Sequence, residues 1–216
     1  MKNAHHPGPE SLISCSAGSM PEAFAAVMSC HIERCAECRT ELGLLETVGT
    51  ALFDKIEPTP VSRSAPVMSL RRLEADVLEP RVTRNVADGD VPGPLVAVLG
   101  TDLDAVKWKR VSPGVWQYVI ELTNENRGDL RLIKVAPGQA LPEHAHNGSE
   151  LTLILRGSYR DANGHFIVGD VSDMCGDAAH SPVADPIEGC ICLIATEGKL
   201  KFKGVVARLV QPFTGF

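Results

Sequence analysis

No apolar run in the 216 residues approaches the roughly 18 needed to cross a bilayer as a helix, so no membrane span is expected. The opening Met1-Lys2-Asn3-Ala4-His5-His6-Pro7 lacks the apolar core of a secretory signal, which makes the cytoplasm the expected location. An excess of positive charge is missing too. The formal net charge is −6, and without a basic face direct nucleic-acid binding is not expected. Seven cysteines is an odd count for a chain expected in a reducing compartment, which argues against a disulfide framework. No internal repeat or low-complexity tract is evident.

What remains is the composition of an ordinary globular protein, 44% hydrophobic and 22% charged, with room for two small domains or one large one. The first sixty residues are more acidic than the rest. Lys2, Arg34, Arg39 and Lys55 stand against Glu10, Glu22, Glu33, Glu37, Glu41, Glu46, Asp54 and Glu57, a net −4. Such a surface is either a solvated helical face or one suited to a basic protein partner.

The first eighty residues carry helical signals. Ser11 to Gly18 ends on a glycine stop, and Pro21-Glu22-Ala23-Phe24 restarts as a proline-led first turn. Phe24, Val27 and Met28 then recur at helical spacing toward His31. A third segment, Ala36 to Ile56, sets Leu42, Leu45, Val48, Gly49 and Leu52 along one stripe, and a fourth is expected near Val67 to Leu78. Residues 81–94, with Asp88-Gly89-Asp90 and Pro92-Gly93-Pro94, read as a linker between a helical domain at 1–80 and a second domain at 95–216. Beyond the linker, Val115–Ile120, Leu130–Val135 and Leu151–Leu155 are strand-like runs rich in β-branched and aliphatic residues. Frequent Gly and Pro between them suit an antiparallel sandwich or small barrel.

Two sets of metal-ligand residues stand at opposite ends of this layout. In His31-x-x-x-Cys35-x-x-Cys38 the helical spacing brings three donors onto one face, and His5 or His6 can supply a fourth. A closed tetrahedral N/S set is that of structural zinc. Cys-x-x-Cys by itself also occurs as a redox motif, but no βαβ pattern surrounds it here. The second set is sulfur-free: Gly138-x5-His144-x-His146-x3-Glu150-x6-Gly157, with His180 further on. His144, His146 and Glu150 keep one strand parity, so His180 must arrive from another strand. Three imidazoles and a carboxylate suit a divalent ion of the zinc, iron, manganese, nickel or copper kind.

The stretch Gly138 to Gly157 resembles the first cupin motif, and Gly169 to His180 resembles the second. Cys175, Asp177 and Ala184 replace its usual proline, second glycine and asparagine, which sets it apart from an ordinary catalytic cupin pocket. The helical half resembles the zinc-containing anti-sigma domain, and the whole chain resembles the ChrR group of anti-sigma factors. The likeness includes His5-His6, Leu151-Thr152-Leu153, Cys190-Ile191-Cys192 and the tail Gln211-Pro212-Phe213. It implies an α + β two-domain chain, with a small zinc-bound helical domain of about four helices and a C-terminal antiparallel cupin barrel. It also implies two zinc ions, one on His6, His31, Cys35 and Cys38, the other (zinc or another divalent metal) on His144, His146, Glu150 and His180. The partner implied is an extracytoplasmic-function-type sigma factor of RNA polymerase, released when the cupin senses singlet oxygen or an organic hydroperoxide.

The alternative from a different class is a metal-dependent cupin enzyme, a dioxygenase or hydrolase, with an accessory zinc-helical domain. An enzyme has no evident use for the N-terminal set, which favours the regulator. Among the other cysteines, Cys15 and Cys30 read as core packing. Cys190 and Cys192 face one side of a strand, either as a redox pair or as two small core residues. Cys175, five residues before His180, is open to oxidation if it is exposed.

Overall fold

Proline and glycine set the helix ends. In the computed structural model, which describes residues 3–60, 90–123, 128–145, 148–176, 179–197 and 201–202, α1 runs Pro9–Ser16 with Pro9 in its first turn, and Gly18 follows at φ +64°. That left-handed conformation suits glycine and turns the chain out of the helix. Helix α2 (Glu22–Arg34) starts behind Pro21, as the sequence predicts. Helix α3 (Ala36–Phe53) follows after a single extended residue, Cys35, which caps both helices. Arg39 Nη1 donates to the carbonyls of Ile32 (2.6 Å) and Glu33 (2.7 Å), satisfying two of the acceptors left open at the end of α2 and fixing the corner at Cys35. The helix expected near Val67–Leu78, together with His146, Asp177 and the tail Gln211–Phe213, lies outside the described residues.

The second half is an antiparallel sheet. Its path is β1 (Lys109–Ser112), β2 (Val115–Ile120), β3 (Asp129–Val135), β9 (Cys190–Thr196), β5 (Ser149–Asp161) and β6 (Gly164–Ile167). β7 (Val171–Cys175) pairs with the first part of β5, and β8 (Val183–Ala184) with its last part. β4 (His144–Ala145) pairs with β10 (Lys201–Phe202). The three strand-like runs of the sequence are the central strands β2, β3 and β5.

β5 and β9 have runs buried on both faces, residues 150–155 and 190–193, which is why their apolar residues follow one another rather than alternate, whereas β2 and β3 keep a partly exposed face. On one face Leu132, Leu193 and Leu153 stand side by side across β3, β9 and β5, each at most 1% exposed. Ala23, Phe24, Val27 and Met28 of α2 belong to the same buried cluster, so the helices and the sheet share one core. On the other face Ile133, Cys192 and Ile154 form the equivalent row, joined by Tyr159 and Phe166. Of the expected linker 81–94, residues 81–89 lie outside the described residues. Val91 is buried, and with Leu95 and Leu103 of the turns that follow it packs into the helix-facing core. Short 3₁₀ turns at Gly93–Leu95 and Leu103–Ala105 flank a helical turn, α4 (Val96–Leu99).

Candidate metal centres

The corner between α2 and α3 assembles four donors. His31 lies on the last turn of α2, Cys35 is the corner itself, Cys38 lies on the first turn of α3, and His6 comes from the strap ahead of α1. Their ligand atoms all lie within 4.8 Å of one another. His6 Nδ1 stands 3.4 Å from Cys35 Sγ and 3.3 Å from Cys38 Sγ, and His31 Nε2 is 3.3 Å from Cys38 Sγ. His5 is elsewhere, with its ring against Phe166 at 4.3 Å between centroids. The structure thus selects His6 from the pair that sequence spacing left open.

The chemistry of this cluster fits a cation. His31 is fully buried, and its Nδ1 lies 2.8 Å from the carbonyl oxygen of Gly169, which can only accept. The proton is therefore on Nδ1, and Nε2 presents a lone pair to the sulfurs. Burial lowers the His31 pKa, only partly offset by the Gly169 bond, which keeps the ring neutral as a ligand must be. Burial and the neighbouring Cys35 push the Cys38 thiol up to about 12. Two thiols and two imidazoles packed this closely suit a tetrahedral N₂S₂ ion of the zinc kind, which would hold both sulfurs as thiolates. The start of α3 assists: Cys35 Sγ accepts from the Cys38 amide at 3.5 Å, and the positive end of the helix favours negative sulfur.

The second set is assembled differently. His144 and His180 pair by their backbones, N to O in both directions at 3.1 and 3.0 Å. His144 Nδ1 donates to the Pro142 carbonyl (2.8 Å), and His180 Nδ1 faces the Asp161 carboxylate (2.9 Å). The two Nε2 atoms face each other at 3.0 Å, a separation that a shared proton or a shared cation can bridge. Burial pulls the His144 pKa down to about 4, so this ring does not itself carry the positive charge.

Glu150 of β5 is buried, accepts from Thr152 Oγ1 at 3.0 Å, and has its carboxyl pushed up to about 7 by burial. His146 lies outside the described residues. Among the described residues the rings of His144 and His180 meet, but no group of three or more clustered donors includes Glu150.

Asp161 is the residue that sequence reasoning missed here. In the turn Asp161-Ala162-Asn163-Gly164 its Oδ1 accepts from the Asn163 amide, which is the turn role its spacing suggests, while Oδ2 serves His180. Nothing in the local sequence announces the second role. Of the cysteines, Cys30, Cys190 and Cys192 are buried, Cys15 is half-buried, and Cys175 is exposed at the end of β7. Cys190 and Cys192 sit in the core cluster on the second face of the sheet, and Cys192 lies beside Cys190 and within electrostatic reach of Glu150.

Comparison with known proteins agrees with this geometry. A family model described as the ChrR cupin-like domain matches residues 97–199. The anti-sigma-E factor ChrR of Cereibacter sphaeroides is 35% identical over 209 residues, 97% of each chain. Among solved structures, the crystal structure of Rhodobacter sphaeroides SigE in complex with the anti-sigma ChrR matches with a TM-score of 0.74 and 34% identity. That match covers 89% of this chain and 98% of the other. With this relative aligned over 97% of each chain and the ChrR cupin-like model matching its second half, this chain belongs to the ChrR family of anti-sigma factors.

Proposed function

We propose that this chain sequesters a sigma factor of RNA polymerase through its N-terminal helices and frees it when the cupin responds to oxidative stress, either singlet oxygen or an organic hydroperoxide. The observation that carries the reading is an uncovered stripe on α3. Leu44, Val48 and Leu52 follow one another at i, i+4 and i+8 and are 65%, 57% and 60% exposed. Glu37 and Glu41 continue the same face toward the metal cluster. An apolar strip with an acidic end fits a partner whose own surface is apolar with a basic margin. The related ChrR of Rhodobacter sphaeroides was crystallised with SigE, and a sigma factor is accordingly the partner we assign. Membership in an anti-sigma family sets aside the alternative of a metal-dependent cupin enzyme.

In this reading, residues 1–80 form the sigma-binding domain, 81–94 the linker and 95–216 the cupin. His6, His31, Cys35 and Cys38 hold a structural zinc. His144, His146, Glu150 and His180 hold zinc or another divalent ion, whose chemistry at that site is to organise the sensing pocket. The exposed Cys175, on the segment leading to His180, is a reachable thiol for the oxidant. No helix among the described residues is long and apolar enough to cross a membrane, in keeping with a cytoplasmic site of action.

The test is capture. The purified full-length chain, with its metal content assayed, is mixed with the host's sigma factors one by one. One of them is expected to co-elute, and treatment with an organic hydroperoxide or photogenerated singlet oxygen is expected to release it. A metal-replete chain that retains none of them overturns the reading.

A further inference from the structure

The strap that carries His6 is fastened to the cupin on both sides of that residue. On one side, the fully buried carboxylate of Asp170 accepts from the amides of Ala4 (2.9 Å) and His5 (3.3 Å) through Oδ1, while its Oδ2 accepts from Ile167 N at 3.1 Å. On the other side, Asp173 Oδ2 accepts from Gly8 N (2.8 Å) and Ser11 Oγ (2.7 Å). Between them Val171 N donates to the His5 carbonyl at 3.1 Å, so the strap lies along the outer edge of β7. The opposite edge of β7 pairs with β5. Gly169, the residue just before Asp170, supplies the carbonyl that orients His31, and it also accepts from Asn3 Nδ2 at 2.9 Å.

Two of the four donors of the N-terminal cluster are therefore set by one short piece of the cupin, Gly169–Asp173, and not by the helices alone. We propose that this edge of β7 positions the N-terminal metal site: Asp170 and Asp173 hold His6 in place, and the Gly169 carbonyl fixes the ring of His31. The physical reason is entropic as well as geometric. A free N-terminal strap must lose its backbone freedom when His6 binds a metal, and a strap already clamped at Ala4, His5 and Gly8 has lost it beforehand. Groups that hold ligands in this way, without touching the metal, commonly account for ten- to a hundredfold in metal affinity.

The far end of β7 gives the arrangement a regulatory sense. Met174 pairs with Glu150 and Cys175 with Ser149, so the strand that clamps the first metal site ends beside the second. A change at the cupin centre that shifts β7 alters affinity at the thiolate site, and by linkage the reverse holds. The inference rests on the zinc reading of His6, His31, Cys35 and Cys38.

The experiment uses the full chain loaded with Co²⁺. The sulfur-to-cobalt charge-transfer band reports only the Cys35–Cys38 site, and competition with a chromophoric chelator gives its affinity. Asp173→Ala, at an exposed position, and Asp170→Asn are each expected to weaken binding at this site by about tenfold or more. The ligand-field bands should shift while the helical circular dichroism stays in place. Asp173→Asn, which keeps an acceptor oxygen, is expected to recover most of the loss. Should Asp170→Asn not fold, the Asp173 pair carries the test. Unchanged cobalt affinity and spectrum in the Asp173→Ala chain, with or without a lower melting temperature, overturns the proposal. A wild-type chain with no charge-transfer band overturns the zinc reading itself, an outcome distinct from failure of the clamp.

Discussion

Asp161 Oδ2 lies 2.9 Å from Nδ1 of His180, and its carboxyl side chain is fully shielded from solvent. A carboxylate there fixes the ring orientation, keeps the proton on Nδ1 and makes Nε2 a better donor to a cation. Asp161→Asn retains the shape and one acceptor oxygen but loses the charge. Metal affinity at the cupin centre is expected to fall by about ten- to a hundredfold, measured by chelator competition followed by elemental analysis. The cobalt–thiolate band of the N-terminal cluster should not move. Equal loss at both centres would mean that the substitution loosens the fold rather than the ligand.

The N-terminal cluster permits a simpler prediction. Cys38 is buried at the start of α3, within 3.3 Å of donors from both histidines. Cys38→Ala is expected to lower the metal content by about one ion per chain and to abolish sigma capture, because metal binding and local folding are one process at such sites. Full metal content, or full capture without the ion, would make the cluster dispensable.

Much of this centre was legible in the sequence, because helical spacing is local: His31, Cys35 and Cys38 converge through the turn of α2 into α3. Pro21 and Gly18 likewise mark the helix ends where the structure has them. The residues that complete the centre were not legible. Gly169 meets His31 from 138 positions away, and Asp170 meets Ala4 from 166, separations at which no periodicity carries information. The stripe on α3 shows the converse limit. Leu45, Val48 and Leu52 have the spacing of a buried face, yet Val48 and Leu52 are exposed, since the same pattern serves a core and a docking surface equally well.

That stripe can be tested directly. Val48→Asp and Leu52→Asp place a charge on exposed positions, so each is expected to change unfolding stability by only about 0.5 kcal/mol. Sigma capture should weaken by at least about tenfold, as charge placed at the centre of an apolar interface usually does. Unimpaired capture by the double variant would move the docking surface to another face of the molecule.

The shared core predicts that helices and sheet unfold together. Met28 of α2 is fully buried and belongs to the cluster that contains Leu132, Leu153 and Leu193. Met28→Ala removes that packing and is expected to cost about 2–5 kcal/mol. Far-ultraviolet dichroism follows the helices, and tryptophan fluorescence follows Trp108, which packs on the same cluster, together with Trp116 of β2. Both probes should report one transition, lowered equally. If the helical signal alone dropped in midpoint, the two parts would be unfolding as separate units.

Arg156 gives the pH dependence. Its guanidinium bridges Asp90 and Asp104, pinning the end of the expected linker and the segment after it onto β5, and its Nη1 donates to Asp104 Oδ1 at 2.7 Å. That hydrogen bond, with the guanidinium's charge, holds the Asp104 carboxyl below the ordinary range. The backbone amides of Glu188 and Ile187 do the same for Asp185. A carboxylate whose folded pKa is depressed adds stability that is fully present above its unfolded value, about 3.9, and is lost as pH falls through the folded one.

Arg156→Ala removes the effect at Asp104 and leaves the one at Asp185. The wild type is therefore expected to exceed the variant in urea midpoint at pH 6, with the gap closing as pH falls below about 3.9. The residual acid dependence of the variant then belongs to Asp185 and the remaining carboxylates. Because Asp104 is exposed, about 1 M salt should shrink the gap at pH 6 as well. A gap that stays constant across both pH and salt would assign the role of Arg156 to the packing of its aliphatic stem instead of its charge.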